Sequence, residues 1–248
     1  HDIDAALNTL SAPNYDFTFA KGTLTITKAP LTIKVSDASR IYGDAEPQFS
    51  VTYNGFKNGE TKGTSDVSGT PQLNTNAVIT SGVGPYDITL DNLNSFSSNN
   101  YSLSTQKGTL TINKATVDVT AVDNERIYGD ADPALSFIVS NFKNNEQWSD
   151  SVVKGAPVLT PDATIASDAG NYSINLTNGT LTAQNYTFNL IPGKFKINPA
   201  TLTVTAVDTF RTYGDADPEV RFTYNGFKNG QNKSNSGITG QPDVAINR

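Results

Sequence analysis

The sequence predicts a mostly-β protein built as a tandem array of small domains, and three observations lead there. The block Arg40-Ile41-Tyr42-Gly43-Asp44-Ala45-Glu46-Pro47 returns as Arg126-Ile127-Tyr128-Gly129-Asp130-Ala131-Asp132-Pro133 and as Arg211-Thr212-Tyr213-Gly214-Asp215-Ala216-Asp217-Pro218. Tyr42, Tyr128 and Tyr213 thus stand 86 and 85 residues apart, and a fixed period of this length marks copies of one domain. Short runs such as Leu31-Thr32-Ile33-Lys34-Val35 alternate apolar with polar residues, the signature of a half-buried strand. The hydrophobic share is 36%, drawn from Val, Ile, Leu, Phe and Tyr between stretches of Thr, Ser, Asn and Gly, which suits strands joined by polar turns.

Taken in order, residues 1–30 read as the C-terminal part of a repeat, because Asn14-Tyr15 and Gly22-Thr23-Leu24-Thr25-Ile26 match Asn100-Tyr101 and Gly108-Thr109-Leu110-Thr111-Ile112. Residues 31–116 are a complete repeat. Leu31, Ile33 and Val35 form a first strand that leads to the Tyr-Gly-Asp block, where Gly43 and Pro47 bracket a turn. Phe49, Val51 and Tyr53 alternate in a second strand that completes a hairpin with the first and ends at Asn54-Gly55-Phe56. Lys57 to Ser68 is polar, with room for a turn or two of helix. Gly69-Thr70-Pro71 opens a third strand, Tyr86 to Leu90 is a fourth, and Tyr101 to Ile112 is the closing strand or strand pair. Residues 117–201 repeat this order, and residues 202–248 begin a third copy. A single-residue indel falls between Tyr86 and Tyr101, which makes Asp91 to Asn100 a surface loop.

From the last apolar residue of one repeat to the first of the next the spacing is five, as in Ile26 to Leu31, Ile112 to Val117 and Ile197 to Leu202. Five is odd, so the buried face flips at each joint. With no glycine-rich linker, the expectation is an elongated, stiff and twisted rod. His1 corresponds to Tyr172 and Arg248 to Ala163, so the two ends read as halves of one repeat. They are expected either to dock head to tail between chains or to be a window on a longer covalent array.

These blocks resemble the tandem MBG-type repeats, of the YGX or YDG kind, found in large bacterial surface and secreted proteins. The resemblance rests on the Val/Ile-rich strand, Tyr-Gly-Asp, Gly-Phe, Gly-x-Pro, the Tyr before the fourth strand, Asn-Tyr and Gly-x-Leu-x-Ile in fixed order. It departs at Asn141-Phe142, where glycine is replaced, and at Pro199, where the other joints have Lys28 and Lys114. It implies β-grasp-like domains, with an immunoglobulin-like sandwich as the alternative, and an extracellular or cell-surface adhesin-like role. It brings no catalytic residues.

The net charge of −6 contains no run of like charge and argues against nucleic acid or an anionic membrane surface as partner. No apolar run approaches the length needed to span a bilayer. Cysteine and methionine are absent, and the single histidine is His1, so neither disulfides nor a His-based catalytic centre is expected. No catalytic, cofactor-binding or metal residue is assigned, and no cofactor. The carboxylates of the repeated block are read first as turn formers. Calcium is the alternative, with Asp37, Asp44 and Glu46, then Asp123, Asp130 and Asp132, then Asp208, Asp215 and Asp217 as oxygen donors. Lys57, Lys143 and Lys228 are constant, which allows a Lys–Asn crosslink, although their Phe-Lys-Asn turns suggest solvated lysines. Several of the Asn-x-Ser/Thr triplets at Asn100, Asn171, Asn175, Asn178, Asn185 and Asn232 are by-products of Asn-Tyr blocks followed by Ser or Thr, and the set is not read as glycosylation.

The function expected is a structural stalk or filament, with a multivalent adhesion module for a glycan or host protein as the alternative. The expected partners are neighbouring repeats or copies of the same chain. Glycine at 129 is expected to matter more than glycine at 179, since the first sits in the Tyr-Gly-Asp turn and the second in a variable loop.

Overall fold

The computed structural model describes residues 1–148 and 153–245. The chain forms two compact units, His1–Asn113 and Lys114–Arg248. Nearly all regular structure is β, and the repeats are close copies of one another.

In the first unit, β1 (Asp2–Ile3) pairs with β2 (Gly22–Thr23). The complete repeat follows with β3 (Ala29–Val35), β4 (Ala38–Ile41), β5 (Val51–Asn54), β6 (Leu73–Thr75), β7 (Gly84–Leu90), β8 (Tyr101–Gln106) and β9 (Gly108–Asn113). It holds two sheets, one ordered β5-β3-β8 and the other β4-β9-β7-β6. In the first sheet β3 and β5 are antiparallel, with Ile33 opposite Tyr53, as the expected hairpin requires, but β4 of the other sheet lies between them in the chain. The closing segment is a strand pair, and both halves run parallel to the opening segment, β8 on β3 and β9 on β4. Leu31, Ile33, Val67, Phe96 and Tyr101 form a buried cluster on which Val51, Tyr53, Phe56 and Leu103 pack.

The sequence reads Leu31–Val35 as one strand running to the turn; instead the chain breaks at Ser36-Asp37 and re-forms as β4 in the second sheet. Buried positions accordingly move from 31, 33 and 35 to 40 and 42. The partner strand breaks at the same level, at Lys107, and two contacts hold the break. Thr109 N–H donates to Asp37 Oδ1 at 2.8 Å. Gly108 lets the two backbones close, since a Cβ there would lie 2.6 Å from the Ser36 carbonyl oxygen.

Lys57–Ser68 holds turns and no helix. Its glycines and the left-handed Asn58 (φ 54°) close a tight turn that prevents helical propagation. The helical segment of this repeat is a short 3₁₀ turn, Leu93–Ser95, inside the interval to which the indel belongs.

The second unit repeats the plan with β10 (Ala115–Ala121), β11 (Asn124–Ile127), β12 (Phe137–Ser140), β13 (Val158–Pro161), β14 (Gly170–Thr177), β15 (Tyr186–Ile191) and β16 (Gly193–Asn198). Its sheets are β12-β10-β15 and β11-β16-β14-β13. Lys194 N–H donates to Asp123 Oδ1 at 2.7 Å, and Gly193 packs on the Ala121 carbonyl, so the break recurs with Pro192 between β15 and β16. Ala121, Ala163, Ile174, Phe195 and Ile197 make a buried cluster on the second sheet. The third copy contributes the hairpin β17 (Thr203–Ala206) and β18 (Phe222–Asn225), in the register of β10 with β12.

Where the first and third copies place Gly55 and Gly226 at positive φ, the second has Asn141 at φ 66°. Asn tolerates this region better than other side-chain-bearing residues, and its amide reaches Asp118 Oδ2 at 2.5 Å.

The expectation for Gly179 is overturned. It adopts φ +52°, and an added Cβ would meet the Ala156 carbonyl oxygen at 2.5 Å and Val158 N at 3.0 Å, both backbone atoms. At Gly129, φ is +80° and the nearest obstruction is the Lys228 side chain. Gly179→Val is therefore expected to destabilise the second repeat at least as much as Gly129→Val, each by more than about 1 kcal/mol. Parallel thermal unfolding of the two variants checks the order.

Candidate functional site

The thrice-repeated block is organised by its arginine, which the sequence shows but to which turn chemistry gives no role. Arg40 sits on β4 and is buried, with its side chain 2% exposed. Its Nε donates to Glu46 Oε1 at 3.0 Å, its Nη2 to the Val78 carbonyl at 2.6 Å and its Nη1 to the Ile41 carbonyl at 3.4 Å. Arg126 repeats this arrangement with Asp132 Oδ1 at 2.7 Å and the Thr164 carbonyl at 2.7 Å, and its guanidinium lies 5.9 Å from the centre of the Phe195 ring. A buried guanidinium is tolerable because it spends its fork of donors on a carboxylate and on carbonyls, and the Val78 and Thr164 carbonyls use their second lone pair to accept the Ser81 and Ser167 N–H groups. The arginine thus fastens the strand, the turn after it and a loop 38 residues on. The pattern Arg followed six residues later by Asp or Glu is the signal that carries this role.

The turn itself is as the sequence implies. Asp44, Asp130 and Asp215 N–H groups donate back to the carbonyls of Ile41, Ile127 and Thr212, at 3.0–3.1 Å. Gly43, Gly129 and Gly214 have φ of 77°, 80° and 92°. A three-residue return with glycine in third place at this φ is a type II turn. Tyr42 is buried, Tyr128 half-buried and Tyr213 fully exposed.

Six of the nine carboxylates weighed as calcium donors go to separate partners. Asp37 and Asp123 accept from backbone N–H at the sheet break, and Glu46, Asp132 and Asp217 pair with Arg40, Arg126 and Arg211. Asp130 pairs with Lys228. Among the described residues no three acidic or histidine side chains gather as a metal ion would require. Lys228, one of the three constant lysines, ends on a carboxylate rather than on an asparagine.

A second constant feature links Asn-Tyr to the Phe-Lys turn. Tyr101 OH accepts the Lys57 N–H at 3.0 Å and donates to Glu60 Oε2 at 2.6 Å, while its ring meets Phe56 edge-on at 5.5 Å. Tyr186 treats Lys143, Glu146 and Phe142 in the same way. The Glu60 carboxylate raises the Tyr101 phenol above its ordinary value. In the first repeat Asp66 clamps the approach to Tyr101, accepting from Ser98 Oγ at 2.7 Å and from Asn99 and Asn100 N–H at 2.6 and 3.1 Å. The Ser98 hydroxyl, with the two backbone donors, holds the Asp66 carboxyl below the usual range. The joint lysines reach the same loop, Lys28 Nζ to the Ser98 carbonyl at 2.7 Å and Lys114 Nζ to the Ala183 carbonyl at 3.0 Å. No helix among the described residues is long and apolar enough to cross a membrane.

A family model described as MBG domain (YGX type) matches residues 31–111, 117–196 and 202–245. No curated protein matches the chain.

Replacing Arg126 with Met leaves Asp132 without its guanidinium donor and removes one of the two hydrogen bonds to the Thr164 carbonyl, the Ser167 N–H keeping the other. The expected cost is about 2–3 kcal/mol, below the figure for a fully buried pair because Asp132 is partly exposed. Arg211→Met, whose ion pair is partly exposed on both sides where the Arg126 side chain is buried, is expected to cost under about 1 kcal/mol. Denaturant titration of both variants measures the difference.

Asp66 gives an acid-side prediction. Its folded value lies below its unfolded one, so its contribution is present above about pH 4 and disappears as pH falls through the folded value. The melting temperature of the first repeat should drop on acidification, with a shallower dependence in Asp66→Asn, as read by melts across a pH series.

Proposed function

Because the chain belongs to the MBG domain family of the YGX type, we propose that it is a structural repeat region of an adhesin-like protein. It serves as a stiff extracellular stalk or filament whose copies associate head to tail, and it carries out no catalysis. The module is β-grasp-like rather than immunoglobulin-like, a reading supported by the parallel pairing of its opening and closing strands.

The observation that carries the stalk reading is the joint between repeats. β9 ends at Asn113 and β10 begins at Ala115, so one strand follows another across Lys114 with no glycine between. Buried positions shift from 108, 110 and 112 to 115, 117, 119 and 121 across that residue, the change of face that odd spacing requires.

Head-to-tail association is supported by two exposed half-repeats. Ile3, Leu24 and Ile26 are 53%, 51% and 70% exposed, yet their equivalents Ile88, Leu110 and Ile112 are buried. β1 already pairs with β2 in the register of β7 with β9. In the third copy Val204 is 43% exposed, against 0% for Val119. Residues 1–28 and 202–245 correspond to complementary parts of one repeat, so these apolar faces meet their counterparts whether copies dock head to tail or the repeats continue in one covalent array. Tyr15, 77% exposed and equivalent to Tyr101, would stand on the Phe227-Lys228 turn.

Small-angle scattering over a concentration series tests the reading. A globule of this length has a radius of gyration near ~18 Å. Strands in series across two joints give a rod on the order of 120 Å long, with a radius of gyration of roughly 35 Å that rises with concentration. The globular value at every concentration would refute it.

A further inference from the structure

In the second repeat β12 stands at the end of its sheet, and no strand among the described residues pairs with its outer side. The ladder to β10 fixes which backbone groups face outward. Val122 N–H donates to the Ser136 carbonyl at 2.9 Å, and in the antiparallel register bonded pairs then recur at Thr120–Ile138 and Asp118–Ser140. Ser136, Ile138 and Ser140 therefore spend their backbone groups on β10. Phe137 and Val139 direct theirs away from the sheet. Between those two residues the Ile138 side chain stands on the outer face, 58% exposed. Its neighbours across that face are Thr120 and then Ile191.

Charged residues commonly keep such an edge from pairing with another chain. The other two copies carry them. In the first, Thr52 takes the place of Ile138, and the exposed Lys34 lies opposite it with Gln106 beyond. In the third, Thr223 takes that place and follows Glu219 and Arg221. The second repeat lacks this protection. Ala134 to Phe142 contains no charged residue, glycine or proline, and Phe137-Ile138-Val139 is an aromatic and β-branched run of the kind that pairs readily.

We propose that the open edge of β12 is a self-association site, pairing antiparallel with β12 of a second copy of this chain about a two-fold axis at Ile138. The occupant follows from the symmetry of the strand itself. New ladder bonds form only at residues that point outward, so Phe137 exchanges bonds with Val139 of the second copy, and Val139 with its Phe137. Ile138 then faces Ile138 in the intervening non-bonded pair, where side chains approach most closely, and Ser136 faces Ser140. Either adjacent register would set Ile138 against a serine instead. The contact is isologous, so it closes at two chains and joins two three-stranded sheets side by side. It lies on a complete repeat and is independent of the head-to-tail reading.

Cysteine trapping on the full chain tests the site, because the sequence has no cysteine of its own. In Ile138→Cys the two introduced thiols stand on residues whose Cα atoms are about 4.5 Å apart, within disulfide reach, and oxidised glutathione should yield a covalent dimer. Thr52→Cys, the same position in the first repeat, should yield at least about tenfold less. Ser136→Cys and Ser140→Cys should cross-link when mixed and not when alone, which reads the register. In sedimentation velocity the unmodified chain should dimerise reversibly, with little dependence on salt. Ile138→Lys, and Ile138→Thr with the residue that the other copies carry, should weaken this by at least about tenfold without lowering the melting temperature. Equal dimer yields from Ile138→Cys and Thr52→Cys would overturn the proposal. So would a chain that stays monomeric at every concentration. Association left unchanged by both Ile138 substitutions would also overturn it, while leaving head-to-tail contact standing.

Discussion

Each repeat depends on one pairing, that of its first strands with its last. Ala29 opposes Tyr101 at one end of the ladder, and Ile41 opposes Asn113 at the other. Parallel strands need a long crossover, and here the crossover is the rest of the domain. The hairpin strand, the Tyr-Gly-Asp turn, the third and fourth strands and the loops all lie between the two halves of one ladder. The ladder must also bend from one sheet to the other, which both strands do at the same level. Gly108 and Gly193 are required there because a side chain would strike the opposite backbone, and Asp37 and Asp123 are required to occupy an N–H that the bend releases.

The remaining constant residues keep the long excursions of the crossover in place. Arg40 and Arg126 draw a loop 38 residues away onto the turn, and Tyr101 and Tyr186 hold the Phe-Lys turn from behind with their hydroxyls. Each is a buried or half-buried polar group with several partners, and such groups specify one arrangement because any other leaves them unsatisfied. The carboxylates follow the same logic. Aspartates that are neighbours in sequence are spread over different guanidinium, ammonium and backbone donors.

Much of this was legible in the residues. The alternation of Leu31, Ile33 and Val35 against polar partners locates β3, and the tyrosines at 86 and 85 residue intervals locate the repeats. Gly43 announces its positive φ because only glycine adopts it freely. The sheet break was not legible, since Ser36-Asp37 reads as ordinary polar residues at a strand end. Its determinant lies at Gly108, 72 residues on from Ser36, and only tertiary structure unites them. The role of Arg40 was hidden for the same reason, because its carbonyl partner at Val78 has no side-chain signature. Gly179 misled because an exposed loop does not imply open space around every atom in it.

The parallel ladder has a mechanical consequence. The chain comes into the first complete repeat at Ala29 and leaves it at Asn113, which lie at opposite ends of the paired strands. Tension applied along the polypeptide therefore slides the two strands past one another, and every bond of the ladder bears the load at once. Strands that met in the antiparallel sense with both ends on one side would peel apart bond by bond at lower force. By its topology the domain is a shear joint, and the direction in which a tether would be pulled is the direction in which it yields least.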